Sequence, residues 1–324
     1  MIAVQNIIRT IQRMSVDSNI TKLNILAIGA GNEKYISLLS QTENNFYFLP
    51  EQPWNPLIES LPSKSQNINM CTGPLDYILC CNRAEQYDQA QQLSKQLHLP
   101  IILVDMCSRM FIRPQHLGET VTAKNADLLN KEPCFQVACN KHIQSSWNSI
   151  QSSMIIPIGI DSTKFHNTEP PEQNPPLIVI DNHTPSEVGH MVERRIGSSY
   201  QLIPTDHKDL NDISVNKARY FINTYKTVTI KMLEAMSAET VVIALKNPDT
   251  ESVIDHLSTG ILIETLDEIP AVLNMLETDP DGLRFKIGKL ARKKIISEHP
   301  LDEFVNRWNK VFEKIRPSFY TPSL

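Results

Sequence analysis

Short apolar runs recur along this chain, separated by stretches with apolar residues at helical spacing. In the first half the runs fall at 22–28 (KLNILAI), 45–49, 75–80, 100–106 (PIILVDM), 134–139 and 154–158. Runs of this kind read as strands buried on both faces, since a half-exposed strand would alternate apolar and polar residues. Between them, Tyr35, Ile36, Leu38 and Leu39 predict one helix, and Tyr87, Ala90, Leu93 and Leu97 a second over 85–98. A third, shorter helix is expected over 141–148. Residues 1–19 carry apolar side chains at helical spacing with arginines opposite, and lack the continuous apolar core of a signal peptide. The segment 50–67 holds four prolines and reads as an irregular surface loop carrying Trp54.

The pattern breaks and then restarts. Residues 167–176 (NTEPPEQNPP) contain four prolines and no large apolar side chain, the composition of a linker stiffened toward polyproline II. Beyond it, strands are expected over 177–180, 200–203, 220–223, 240–243 and 260–264. Helices are expected over 186–196 and 230–236, and from residues 266, 282 and 300. The last carries Leu301, Phe304, Val305, Trp308, Val311, Phe312 and Ile315 on one face. Alternating strands and helices imply parallel sheets covered on both faces, so the fold class is α/β. A chain of 324 residues is long enough for two such domains.

Composition removes several function classes. With 41% hydrophobic and 21% charged residues the chain is globular, and no apolar run approaches the ~20 residues of a spanning helix. The expected location is cytoplasmic. A formal charge of -5 exerts no global pull toward nucleic acid or anionic membrane. The basic run Arg284, Lys286, Lys289, Arg292, Lys293 and Lys294 spreads around its helix and reads as a solvated face. Cys71, Cys80, Cys81, Cys107, Cys134 and Cys139 form no Cys-x-x-Cys pair, so they read as buried thiols and no metal site is expected. Gly29-x-Gly31 begins a dinucleotide fingerprint whose third glycine is missing, which favours a plain strand-to-helix turn.

The chemistry concentrates in residues 223–245, NTYKTVTIKMLEAMSAETVVIAL. Small polar residues able to cap a helix (Asn223, Thr224, Thr227, Thr229) precede a run of helix formers, and a β-branched strand follows. The free N–H groups and positive dipole end of such a helix make an anion site. The segment LEAMSAETVVIA resembles the donor signature of retaining, GT-B-fold, family-4-like glycosyltransferases (glycosyl transferases group 1). Ile158-Gly159-Ile160-Asp161-Ser162-Thr163-Lys164-Phe165 is similar to the segment with which those enzymes leave their first domain.

The resemblance implies two Rossmann-like domains facing a cleft. An acceptor domain would span 1–165, a nucleotide-sugar donor domain 166–299, and residues 300–324 would form a helix and tail returning to the first domain. It implies a hexosyl- or pentosyltransferase that moves a sugar from a nucleotide-sugar donor to a hydroxyl acceptor, with retention, no metal and no cofactor beyond the donor substrate. Glu234 would accept hydrogen bonds from the donor ribose; the bland alternative is a surface glutamate paired with Lys231. Eight positions earlier, where the family carries an acid, this chain has Lys226, followed by the turn Thr227-Val228-Thr229. A cation there cannot accept sugar hydroxyls but could stabilise the leaving diphosphate. His183, after a strand of the second domain, is a further donor-side candidate. The family's Arg and Lys after the first strand of that domain are not visible in IDNHTPSEVGHMVERR. Asp105, at the carboxyl end of the PIILVDM strand and close to the position of the family's acceptor-site histidine, either orients or deprotonates an acceptor hydroxyl or caps the following turn. Arg109 and Arg113 lie close by in sequence. Two other functions stay open: glycosylation of a hydroxylated base in viral DNA, and a catalytically silent relative acting as a binding subunit.

Overall fold

The computed structural model describes residues 22–28, 32–50, 54, 61–81, 83–108, 134–147, 153–167, 175–180, 192–194, 200–204, 212–225 and 227–315. They group into two compact units, one running to Ile156 and resuming at Phe304, the other Pro157–Glu303.

The first unit is built on a seven-stranded parallel sheet in the order β3-β2-β1-β4-β5-β6-β7. Its strands are β1 (Asn24–Ile28), β2 (Asn45–Phe48), β3 (Ser65–Asn67), β4 (Tyr77–Cys80), β5 (Ile101–Asp105), β6 (Cys134–Ala138) and β7 (Ser153–Ile155). Every residue of β1, β4 and β5 is buried, as continuous apolar runs require. Helices α1 (Glu33–Leu39), α2 (Arg83–Leu97) and α3 (Lys141–Ser146) connect the strands. On one face Leu26, Ile28, Ile78, Cys80, Ile101 and Leu103 pack with Tyr87, Ala90 and Leu93 of α2. Edge strand β3 falls inside the segment expected to be a loop. Patterning misses it because it is polar, with Ser65 buried and Gln66 turned to solvent.

The second unit holds a five-stranded parallel sheet in the order β12-β11-β10-β8-β9. Its strands are β8 (Leu177–Ile180), β9 (Gln201–Pro204), β10 (Tyr220–Asn223), β11 (Val241–Leu245) and β12 (Ile261–Ile263). The helices are α4 (Asp212–Lys217), α5 (Ile230–Ser237), α6 (Pro248–Glu251), α7 (Ile269–Thr278) and α8 (Leu283–Glu298). Neither α4 nor α6 was expected: both are too short for a helical repeat to emerge. Tertiary contacts hold α4 instead, with Val215 buried and its carbonyl accepting from Thr240 Oγ1 at 2.9 Å.

The segment resembling the family's exit sequence is fastened to this second unit. The Arg292 guanidinium of α8 donates to the carbonyls of Phe165 (2.9 Å), Ser162 (3.1 Å) and Ser237. Ser237 Oγ donates to the same Phe165 carbonyl at 2.8 Å. Most of the linker, 168–174, lies outside the described residues; Pro175 and Pro176 are exposed.

The last helix, α9 (Leu301–Ile315), buries Phe304, Trp308, Val311 and Phe312. From Phe304 onward it belongs to the first unit. There Phe304 and Trp308 meet Tyr35 edge-on at 5.7 and 6.5 Å, and Phe312 meets Phe46 at 6.5 Å. The Tyr77 hydroxyl donates to the carbonyl of Ile315.

Candidate functional site

In the second sheet β8 and β9 run to one side and β10, β11 and β12 to the other. The order therefore reverses between β8 and β10, which pair in parallel with Ile222 opposite Ile180. Parallel sheets bind ligands at the carboxyl ends of their strands where this reversal opens a crevice. Strand β10 ends there at Asn223, and the loop leading into α5 follows.

Asn223 is fully buried and organises that loop. Its Oδ1 accepts from the Tyr225 N–H at 2.9 Å, and its Nδ2 donates to the Thr227 carbonyl at 2.9 Å and to Met232 Sδ at 3.2 Å. The loop closes on Thr229, whose extended backbone and side chain cap α5 by accepting from the Met232 N–H at 3.2 Å. Thr227, Val228 and Thr229 are half-buried, whereas α5 itself is buried except at Lys231. Thr229 satisfies one first-turn N–H group; the others of such a turn are the usual donors to an anion.

Glu234 sits on α5 at 5% exposure, so it is not the surface glutamate that its sequence alone also permitted. Burying a carboxylate is costly unless it is compensated, which makes a glutamate here a constrained choice. The helix ends at Ser237, and Glu239 then adopts a left-handed φ of 63°.

In the first unit the order reverses between β1 and β4, and Asp105 ends the next strand, β5. Asp105 is 2% exposed, and its carbonyl accepts from the Cys139 N–H at 3.1 Å. Burial, together with the charge of Asp105, pushes the Cys139 thiol well above the ordinary range. The Trp147 indole donates to the carbonyl of Cys107 at 3.0 Å, pinning the chain just after β5. Cys80 and Cys81 are also buried and Cys71 and Cys107 are half-buried, all as free thiols. At the start of α1 lie Glu33 and Lys34, both buried, which hydrophobic patterning passes over. Lys226, His183, Arg109 and Arg113 lie outside the described residues.

The basic run of α8 divides. Arg292 is bound to three carbonyls, Arg284 is buried and Lys294 pairs with Asp255 at 2.8 Å. Lys286, Lys289 and Lys293 are exposed. Among the described residues, no three His, Cys, Asp or Glu side chains gather as a metal site. No described helix is long and apolar enough to cross a membrane.

No protein-family model matches the sequence, and no curated protein matches it. Solved structures share its architecture. Alr3699/HepE from Anabaena, in complex with UDP-glucose, aligns with a TM-score of 0.67 at 12% identity, over 90% of this chain and 100% of that one. A glycosyltransferase from Rickettsia africae aligns at 0.62 and 13% identity, over 91% and 99%. Sucrose-phosphate synthase from Thermosynechococcus elongatus aligns at 0.62 and 12% identity, over 91% and 99%. Two α/β units, each built on a parallel sheet, and these neighbours define the fold class: the chain has the GT-B fold.

Proposed function

We propose that the protein is a glycosyltransferase that moves a sugar from a nucleotide-sugar donor to a hydroxyl acceptor, with retention and without a metal ion. The observation carrying this reading is the β10–loop–α5 unit at the switch point of the second sheet, with Glu234 buried on its helix. Similar folds support it, since HepE was crystallised with UDP and with UDP-glucose. Glu234 is assigned to the donor ribose, and the Thr227–Thr229 turn and helix N–H groups to the diphosphate. His183 is a further donor-side assignment.

Lys226 is assigned to the charge that develops on the leaving diphosphate, a role a cation can fill where the family's acid cannot. Asp105 is assigned to the acceptor hydroxyl, as orienter or base. The acceptor class comprises glycans, small hydroxylated molecules or a hydroxylated DNA base.

Calorimetry with UDP, GDP and ADP tests the reading: one should bind better than the others. Glu234→Ala should weaken that binding by about 1–3 kcal/mol, the range for hydrogen bonds to a charged group. No binding of any of the three, or an unaffected variant, refutes the assignment. Lys226→Ala should lower turnover by roughly 10²-fold while moving donor affinity less. Wild-type turnover in that variant would favour the binding-subunit reading, which Lys226 at the family's acid position motivates.

A further inference from the structure

We propose that Asn223 is the positioning residue of the donor site, holding the β10–α5 loop in its nucleotide-binding form before any nucleotide arrives. The inference rests on the donor-site reading above and extends it to a residue outside the resembling segment.

Asn223 has no exposed surface, yet its side-chain bonds serve the loop and the helix after it rather than the sheet core around it. Its carbonyl oxygen takes the Tyr225 N–H, two residues on, as in an Asx turn. Its amide nitrogen donates to the Thr227 carbonyl, four residues on, and to Met232 Sδ on the third position of α5. One planar group thus ties both sides of the turn and the first turn of the helix. Only a side chain with an acceptor and a donor at fixed separation does this, which singles out an amide.

The consequence for binding follows from what each bond orients. Drawing the Thr227 carbonyl onto the Asn223 amide turns that oxygen away from an incoming diphosphate, where it would repel the phosphate oxygens. Because a trans peptide sets its N–H opposite its C=O, the same bond directs the Val228 N–H to the other side of the loop. The Thr229 cap then sets where the helix begins. A loop ordered in this way gives up less conformational entropy when the nucleotide binds, so its benefit appears in affinity.

Two substitutions separate the halves of the amide. Asn223→Asp keeps the acceptor for Tyr225 and loses the donor to Thr227. Asn223→Ser retains a short polar group that cannot reach Thr227, and adds no charge. Each is titrated calorimetrically with whichever of UDP, GDP or ADP the wild-type protein binds best, and its thermal transition is recorded. The expected result is a Kd raised roughly tenfold or more in both variants, at unchanged stoichiometry. A purely structural role would lower the transition temperature or the binding stoichiometry and leave Kd in place. Kd within about twofold of wild type in Asn223→Ser overturns the inference even if Asn223→Asp fails to fold. The wild-type titration is read separately: if it binds none of the three nucleotides, the donor-site reading falls and this inference with it.

Discussion

A β-carbon added to Gly288 would lie 2.4 Å from the carbonyl oxygen of Glu239. At this point α8 crosses the end of α5, and only a residue without a side chain lets the two backbones come so close. Glu239 is tied back to α5, its N–H donating to the Met236 carbonyl at 3.3 Å, so its backbone cannot easily move aside. Gly288→Ala should therefore destabilise the protein by about 1–3 kcal/mol, although alanine is the better helix former. Denaturant unfolding measures this. A neutral or stabilised variant would mean that α8 can slide without cost.

Arg292 is the second fastening between α8 and the rest of its unit. Replacing it with methionine keeps most of the apolar stem and removes the donors to Phe165, Ser162 and Ser237. A loss of about 1.5–3 kcal/mol is expected, as for hydrogen bonds to a charged group. Protease cleavage within 162–167 should speed up in the variant. An unchanged cleavage rate would show that the segment is held without the guanidinium.

Trp308 anchors α9 on the first unit. It is fully buried among Tyr35, Phe304 and Phe312, with ring centroids 6.5, 6.5 and 5.3 Å away. Trp308→Ala should cost about 3–5 kcal/mol, the usual range for emptying an aromatic site in a core. Trp308→Phe should recover a good part of that. Near-equal stability of all three proteins would contradict the packing described.

His299 should make stability depend on pH. Its Nδ1 donates to the carbonyl of Ile158 at 2.9 Å. Burial holds the imidazole below its ordinary value of 6.5, outweighing the Ile158 carbonyl and Glu298, which favour the cation; Lys294 acts with burial. Below pH 6.5 the unfolded chain takes up a proton that the folded protein resists. The contribution is therefore present above that value and is lost as pH falls through the lower, folded pKa. The stability of wild type relative to His299→Asn should decline as the pH is lowered through this window. A difference that stays constant from pH 7.5 to 5 would remove His299 from the account.

Much of this protein was decided by its sequence alone. The runs at 177–180 and 220–223 coincide with β8 and β10, because a strand buried on both faces needs a nearly continuous apolar stretch, which β10 breaks only at its last residue, Asn223. The stripe Phe304, Trp308, Val311 and Phe312 likewise required a buried face before any partner was known. Tertiary structure decided what local pattern could not encode. Polar β3 exists because β2 offers it an edge, and α4 because Thr240 and its neighbours receive it. Glu234 could be read from sequence as exposed or buried; its 5% exposure follows from packing around α5, which the helix's own residues do not determine. Asn223 looked like one of several possible caps. Its reach to Thr227 and Met232 depends on the turn that brings residues four and nine positions apart within one hydrogen-bond length, and that proximity exists only once the chain has folded.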